Sequence, residues 1–138
     1  MQRHPAVTTP DATLCSAAKQ MASERTSVMP VVVKQQKMVG MLSAFDLVAG
    51  TLGGGLDPDR RTVRDLMWPD PATCRAEDSL TQVRDQMLNL RATVLPVVQA
   101  NGELLGLVDL FDIADAADNG MAAGPEPDMV KRVRGEPL

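Results

Sequence analysis

Tyrosine is missing, and one Trp and two Phe leave the 138-residue chain almost without aromatic side chains. Base-stacking platforms for single-stranded nucleic acid therefore have almost nothing to be built from. An excess of positive charge is missing as well: fourteen Lys and Arg against eighteen Asp and Glu give a net charge of −4. Neutralising a phosphate backbone needs clustered positive charge, so no nucleic-acid partner is expected. Cys15 and Cys74 form no CxxC pair and His4 is the single histidine, so no structural zinc site and no metal are expected. The same scarcity argues against an enzyme, because no set of nucleophile, base and orienting group can be gathered. No apolar run approaches the roughly eighteen residues that span a bilayer, so membrane insertion is not expected. The N-terminal MQRHPAVTTP has no apolar stretch behind its charges and does not read as a secretory signal. Free thiols in such a chain point to the cytoplasm.

What is present is a repeat. Apolar residues make up 44% of the chain, a globular value, and the length suits one compact domain or two small halves. Shifted by 66 residues, the sequence overlays itself without a gap. Met1, Pro5, Ala6, Leu14, Gln20, Met21, Arg25, Val28, Pro30, Val31, Val32, Gly40, Phe45 and Asp46 all fall on identical residues, the last two on Phe111 and Asp112. Gly, Pro and the apolar periodicity stay in phase, which chance would not maintain, so the chain is two copies of one unit. The expected division is repeat 1 over 1–52, a Gly-rich linker over 53–62, repeat 2 over 63–119 and a mobile tail over 120–138, whose MVKRVR is read as solvated. Met1 aligns with Met67, which VRDL precedes. The first copy thus lacks a lead-in of its own, and the chain is expected to begin late.

Each copy reads alike. Leu14, Ala17, Ala18 and Met21 predict an amphipathic helix, as do Leu80, Val83, Arg84 and Met87, with Asp11 and Asp78 as starting caps. Val28–Val33 and Val94–Val98 are strands, each holding a Pro that argues for an edge or a strand entrance. Turns at QQK and ANGE lead to returning strands at Val39–Leu42 and Leu104–Val108, and helices start from about Ala44 and Leu110. Val63–Trp68 leads into the second copy, with Trp68 as a packing anchor at the joint. Cys15, Cys74 and the methionines Met21, Met29, Met38, Met41 and Met87 are read as packing residues. A unit of this size cannot bury a sufficient core alone. The expected fold is therefore α/β (α+β): two β-α-β-β-α repeats packed sheet to sheet about a pseudo-twofold axis, with a ligand-sized cleft between them.

These features carry a resemblance. AVTTPDATLCSAAKQM, SVMPVVV and GMLSAFDLV in the first copy, and VRDLMWPDPATC, SLTQVRDQM, TVLPVV and GLVDLFDIA in the second, resemble a tandem CBS domain pair, also called a Bateman module. The family's ligand motif runs Gly, apolar, any residue, Thr or Ser, two of any kind, then Asp. GMLSAFD (Gly40–Asp46) meets it in full, whereas GLVDLFD (Gly106–Asp112) has Asp109 where the hydroxyl belongs. The resemblance implies a regulatory module that binds AMP, ADP, ATP or S-adenosylmethionine, with no cofactor required and an unnamed regulated protein as partner. The Asp would accept from the ribose hydroxyls and the Ser or Thr would meet phosphate or ribose. For the Asp46 site the implied residues are Gly40, Ser43 and Asp46 with a wall of Ala72, Thr73, Thr93 and Val94. For a weaker second site they are Gly106, Asp109 and Asp112 with Ala6, Val7, Ser27 and Val28.

Two departures weigh on that reading. Many members of the family carry Arg immediately before the Asp, and here both positions are Phe, Phe45 and Phe111. No base stands at Ser27, Val28, Thr93 or Val94, leaving Arg60, Arg61 and Arg64 of the linker as candidate counter-ions, so the sequence leans toward a ligand with little negative charge. Both motifs also suit helix starts, a hydroxyl or carboxylate cap with an acid in the first turn. The alternatives are a structural dimerisation module with empty clefts, and a detached regulatory part of a larger enzyme, channel or transporter. The resemblance further implies a homodimer, for which the faces Ala17–Met21 and Leu110–Ala117 offer apolar surface.

Overall fold

A computed structural model describes residues 4–118. The expected tail at 120–138 lies outside the described residues. Four helices, α1 (Leu14–Glu24), α2 (Ala44–Val48), α3 (Leu80–Leu90) and α4 (Leu110–Asp118), accompany six strands. The strands are β1 (Val28–Val33), β2 (Lys37–Ser43), β3 (Trp68–Pro69), β4 (Cys74–Arg75), β5 (Val94–Val98) and β6 (Leu104–Asp109). The chain divides into two compact units, one spanning Ala6–Pro71 and the other made of the residues before Ala6 together with those from Ala72 onward.

In the first unit β1, β2 and β3 lie side by side, antiparallel throughout. Its core joins Leu14, Ala17 and Met21 of α1, Met29 and Val31 of β1, Leu42 of β2, Leu47 of α2, and Val63. The second unit orders its strands β4-β5-β6, with β4 parallel to β5. Its core is Leu80, Val83, Met87, Leu95, Val97, Val108, Ile113 and Cys74. Seven of the eight core positions in each unit are related by the same shift of 66, from Leu14 and Leu80 to Leu47 and Ile113. Even the irregularity repeats: β1 slips register at Val31/Val32 and β5 at Val97/Val98.

Several local expectations are corrected. The cap of α1 is Thr13, whose side chain accepts from the Ser16 N–H, and the cap of α3 is Ser79, in a reciprocal box with Gln82. A hydroxyl directly before the first core leucine reaches the third amide; Asp11 and Asp78 stand too early to do so. Asp11 instead pairs with Arg64 at 2.9 Å, and Asp78 accepts from the Arg75 N–H. Ala18 and Arg84 face solvent, because the core stripe needs only the positions of Leu14, Ala17 and Met21. Ala17 and Met21 are spent on their own core, so α1 does not offer the apolar outer face expected of it.

Pro96 lies in a central strand, not an edge. It precedes Val97, the first β5 residue paired with β4, so its missing N–H removes no ladder bond. In β1 the Pro30 carbonyl accepts from the Thr8 N–H at 3.0 Å, which turns the donorless side of Pro30 away from β2.

The Gly-rich stretch and the residues just after it belong spatially to the first unit. The first amides of a helix have no partner within it. Here Leu14 and Cys15 donate to the carbonyls of Arg61 and Pro58 at 3.0 and 2.9 Å, so the stretch closes the start of α1. Val63, expected to lead into the second copy, is fully buried in the first core. Trp68 is no packing anchor: it lies in β3 opposite Met41 and is 48% exposed.

Candidate ligand site

Strand β2 delivers Ser43 to the start of α2. Ser43 lies opposite Val28, and the Ala44 N–H donates to the Ser27 carbonyl at 2.8 Å. Ser27, Val28, Ser43 and Asp46 are thereby gathered at one end of the sheet. The Ser43 hydroxyl oxygen accepts from the Asp46 N–H at 3.0 Å, so it serves as the helix cap. Asp46 itself is different. Its Oδ2 is buried, yet among the described residues no group donates to it. Leaving a carboxylate oxygen dry and unpaired costs free energy, and folded proteins rarely tolerate it without a reason.

Gly40 has a structural reason for its place in the motif. A Cβ there would stand 2.7 Å from the Trp68 carbonyl oxygen and 2.9 Å from the Met67 sulfur, so only glycine lets β3 pass. Ala6 and Val7 lead to Thr8, which bridges to Val31 on the outer side of β1.

The second unit repeats the placement with a different chemistry. Val94 lies opposite Asp109, and the Leu110 N–H donates to the Thr93 carbonyl at 2.9 Å. Gly106 lies opposite Val97. Asp109 Oδ1 accepts from the Asp112 N–H at 2.9 Å, and Asp112 Oδ2 accepts from the Asp109 N–H at 3.1 Å. Each acid caps the other's amide. Burial raises the Asp112 carboxyl above its usual range; the bond from the Asp109 amide works against this, and the Asp109 charge adds to it. Ala72 is exposed, and Thr73 just precedes β4. Thr93, Val94, Asp109 and Asp112 thus gather in the second unit as Ser27, Val28, Ser43 and Asp46 do in the first. The sites that the resemblance implies pair the motif of one unit with the wall of the other.

Two glutamines hold the leading segments, and the sequence pattern alone assigned them no role. The Gln20 side-chain amide donates to the Val7 carbonyl at 3.0 Å, and Gln86 donates to that of Thr73 at 2.9 Å. Their identity across the repeat, at a helix position beside the core stripe, was the available signal. Arg60 and Arg64 turn to Asp57 and Asp11 on the surface, at 3.6 and 2.9 Å. Among the described residues no group of three or more His, Cys, Asp or Glu could hold a metal, and no helix is long and apolar enough to cross a membrane.

A family model described as "CBS domain" matches residues 1–52 and 63–119. The chain is 29% identical over 110 residues to an uncharacterised 17.7 kDa protein of Acidianus ambivalens, covering 80% of this chain and 65% of that protein. It is 32% identical over 107 residues to the meiotically up-regulated gene 70 protein of Schizosaccharomyces pombe, covering 77% of this chain but 14% of that one. The chain therefore spans less than two thirds of either relative. Among solved structures, CBSX2 in complex with AMP superposes with a TM-score of 0.75 at 25% identity, covering 86% of this chain and 92% of that chain.

Proposed function

The chain belongs to the CBS domain family, and from that premise we propose that it is a regulatory module that binds an adenosine-containing ligand through Asp46 and passes the change to a partner protein. The observation that carries this reading is the buried, donorless Oδ2 of Asp46. A ribose offers two vicinal hydroxyl donors, which is what such a carboxylate lacks. The AMP complex of CBSX2 supports the choice of ligand class. The work is binding, not catalysis, and the free Cys15 and Cys74 suit the reducing cytoplasm.

Calorimetric titration with AMP, ATP, S-adenosylmethionine and adenosine tests this. Each hydrogen bond to a charged acceptor contributes about 1.5–3 kcal/mol, so Asp46→Ala should weaken binding about 100-fold or more. Wild-type protein that binds none of the four below millimolar concentration would leave the scaffold reading. That second reading has its own support in the capping roles of Ser43 and Asp109.

The module is also proposed to form a homodimer. Phe45, Val48 and Leu52 recur along α2 and the turn after it, and Phe45 and Leu52 are 77% and 86% exposed. Apolar surface of this kind suits a second copy. Sedimentation showing only a 14.8 kDa species at tens of micromolar would overturn it.

A further inference from the structure

The first unit is closed by residues that follow its own last helix. Beyond α2 and the turn after it, Asp57–Arg64 returns to the start of α1. There the Pro58 and Arg61 carbonyls accept from Cys15 and Leu14, and the Val63 and Arg64 N–H groups donate to Ala12 and Pro10 at 2.9 and 3.0 Å. Val63 is fully buried, and Arg64 pairs with Asp11 at 2.9 Å. Backbone, core and charge all hold this segment to its helix.

The second unit offers the same seat. By the shift of 66, Leu80 stands for Leu14, Ala76 and Asp78 for Pro10 and Ala12, and Glu77 for Asp11. Among the described residues nothing accepts from the Leu80 N–H, and nothing takes the place of Val63 in the core. The opening amides of a helix need acceptors from outside it. Glu77 is 70% exposed and meets Arg75 across 3.6 Å at the surface, so its charge is open to a further base.

The chain beyond α4 carries a matching sequence. Gly124, Glu126, Pro127 and Asp128 repeat the spacing of Gly55, Asp57, Pro58 and Asp59. Lys131, Val133 and Arg134 repeat that of Arg61, Val63 and Arg64. Between the two halves the later segment has Met129 and Val130 where the earlier has Arg60 alone. In the first unit that place is a turn, with the Arg60 and Arg61 N–H groups donating to the Asp57 carbonyl, and turns accept an added residue. Pro127 stands thirteen residues after Ala114, whereas Pro58 stands ten after the equivalent Val48, so the later segment has the reach.

We infer that Glu126–Arg134 is the closing segment of the second unit, docked on the start of α3 as Asp57–Arg64 is docked on that of α1. The Lys131 carbonyl takes the Leu80 N–H, Val133 fills the place of Val63, and Arg134 meets Glu77. Composition alone suggests a solvated tail; this fit gives its basic stretch a partner within the chain.

Hydrogen exchange of the full chain at the Leu80 amide tests this, with the Leu14 amide as the reference for an intact fold. An aspartate cannot be buried in the place of Val63, so Val133→Asp should speed exchange at Leu80 roughly five- to tenfold, the worth of about one hydrogen bond, and leave Leu14 unchanged. Arg134→Glu sets like charge against Glu77 and should speed it too, and adding Glu77→Arg should return the wild-type rate. Should Val133→Asp disturb Leu14 as well, the charge pair decides. Equal exchange at Leu80 in wild type and Val133→Asp overturns the inference. So does an Arg134→Glu variant that loses no protection, or a loss that Glu77→Arg does not restore. Protection of Leu80 that rises with protein concentration seats the segment of a second copy there, and overturns closure within the chain.

Discussion

The side-chain amide of Gln20 donates to the main-chain carbonyl of Val7 at 3.0 Å, tying the body of α1 to the segment that enters beside β1. That segment is otherwise held by two bonds, Thr8 N–H to Pro30 and Val32 N–H to Thr8. Gln20→Leu keeps the size of the side chain and removes the donor. It should cost about 1 kcal/mol, the usual net worth of such a bond in a partly buried place. Hydrogen exchange at Thr8 and Val32 should quicken while the amides of β2 do not change. Unaltered protection at Thr8 would mean that the pairing with β1 holds the segment by itself.

The hairpin turns differ in quality. Gln35 and Gln36 both adopt positive φ, at 64° and 59°, where the equivalent of Gln36 in the second copy is Gly102, at 89°. A left-handed conformation costs a residue with a Cβ roughly 1–2 kcal/mol, part of which glycine returns through its freer unfolded chain. Gln36→Gly should therefore stabilise the protein by about 0.5–1 kcal/mol, and Gly102→Gln should destabilise it at least as much. Urea unfolding of both variants measures this. Opposite signs to those stated would show that the turns relax instead of bearing strain.

The repeat made most of the fold legible. Strands Val28–Val33 and Val94–Val98 and the helix starts at Ala44 and Leu110 come out where periodicity and turn chemistry place them. What the repeat could not supply is spatial membership. It aligns Val63–Leu66 with nothing in the first copy, yet Val63 packs there because the first amides of α1 need carbonyls and the preceding Pro58 and Arg61 provide them. Pro96 looked like an edge residue because a proline rule considers the strand, not the length of its neighbour, and β4 is two residues long. At the site, sequence shows Ser43 and Asp109 at the same position. It does not show that one leaves an oxygen unmet and the other closes a pair, since that depends on where the second carboxylate turns.

Cys74 gives a pH signature. Burial pushes its thiol up to about 12 from an ordinary 9.0, and the nearby Asp78 charge adds to the shift. The folded protein therefore keeps a proton that the unfolded chain releases above pH 9. Between about pH 9 and pH 12 this favours unfolding, by up to about 1.4 kcal/mol for each pH unit. Cys74→Ala removes that slope, although it loses packing at every pH. The stability advantage of wild type over the variant should accordingly shrink between pH 8 and pH 10. An advantage that stays constant would mean that the thiol ionises as readily in the fold as out of it.

Ser43 and Asp46 should separate stability from binding. Ser43→Ala removes the side-chain cap at the start of α2, a loss of about 1 kcal/mol. Asp46→Ala removes a buried oxygen that nothing donates to, which relieves a desolvation cost. Against that stands the attraction of a first-turn acid for the helix start, about 0.3–1 kcal/mol and small for a helix of five residues. The two contributions nearly cancel, so Asp46→Ala should unfold within a few tenths of a kcal/mol of wild type. The order reverses for ligand, where Asp46→Ala should lose affinity about 100-fold and Ser43→Ala far less, since its oxygen is already engaged by the Asp46 amide. Urea titration and calorimetry on the same two variants test both halves. Should Asp46→Ala lose about 1 kcal/mol or more while Ser43→Ala loses nothing, Asp46 belongs to the fold and not to a ligand.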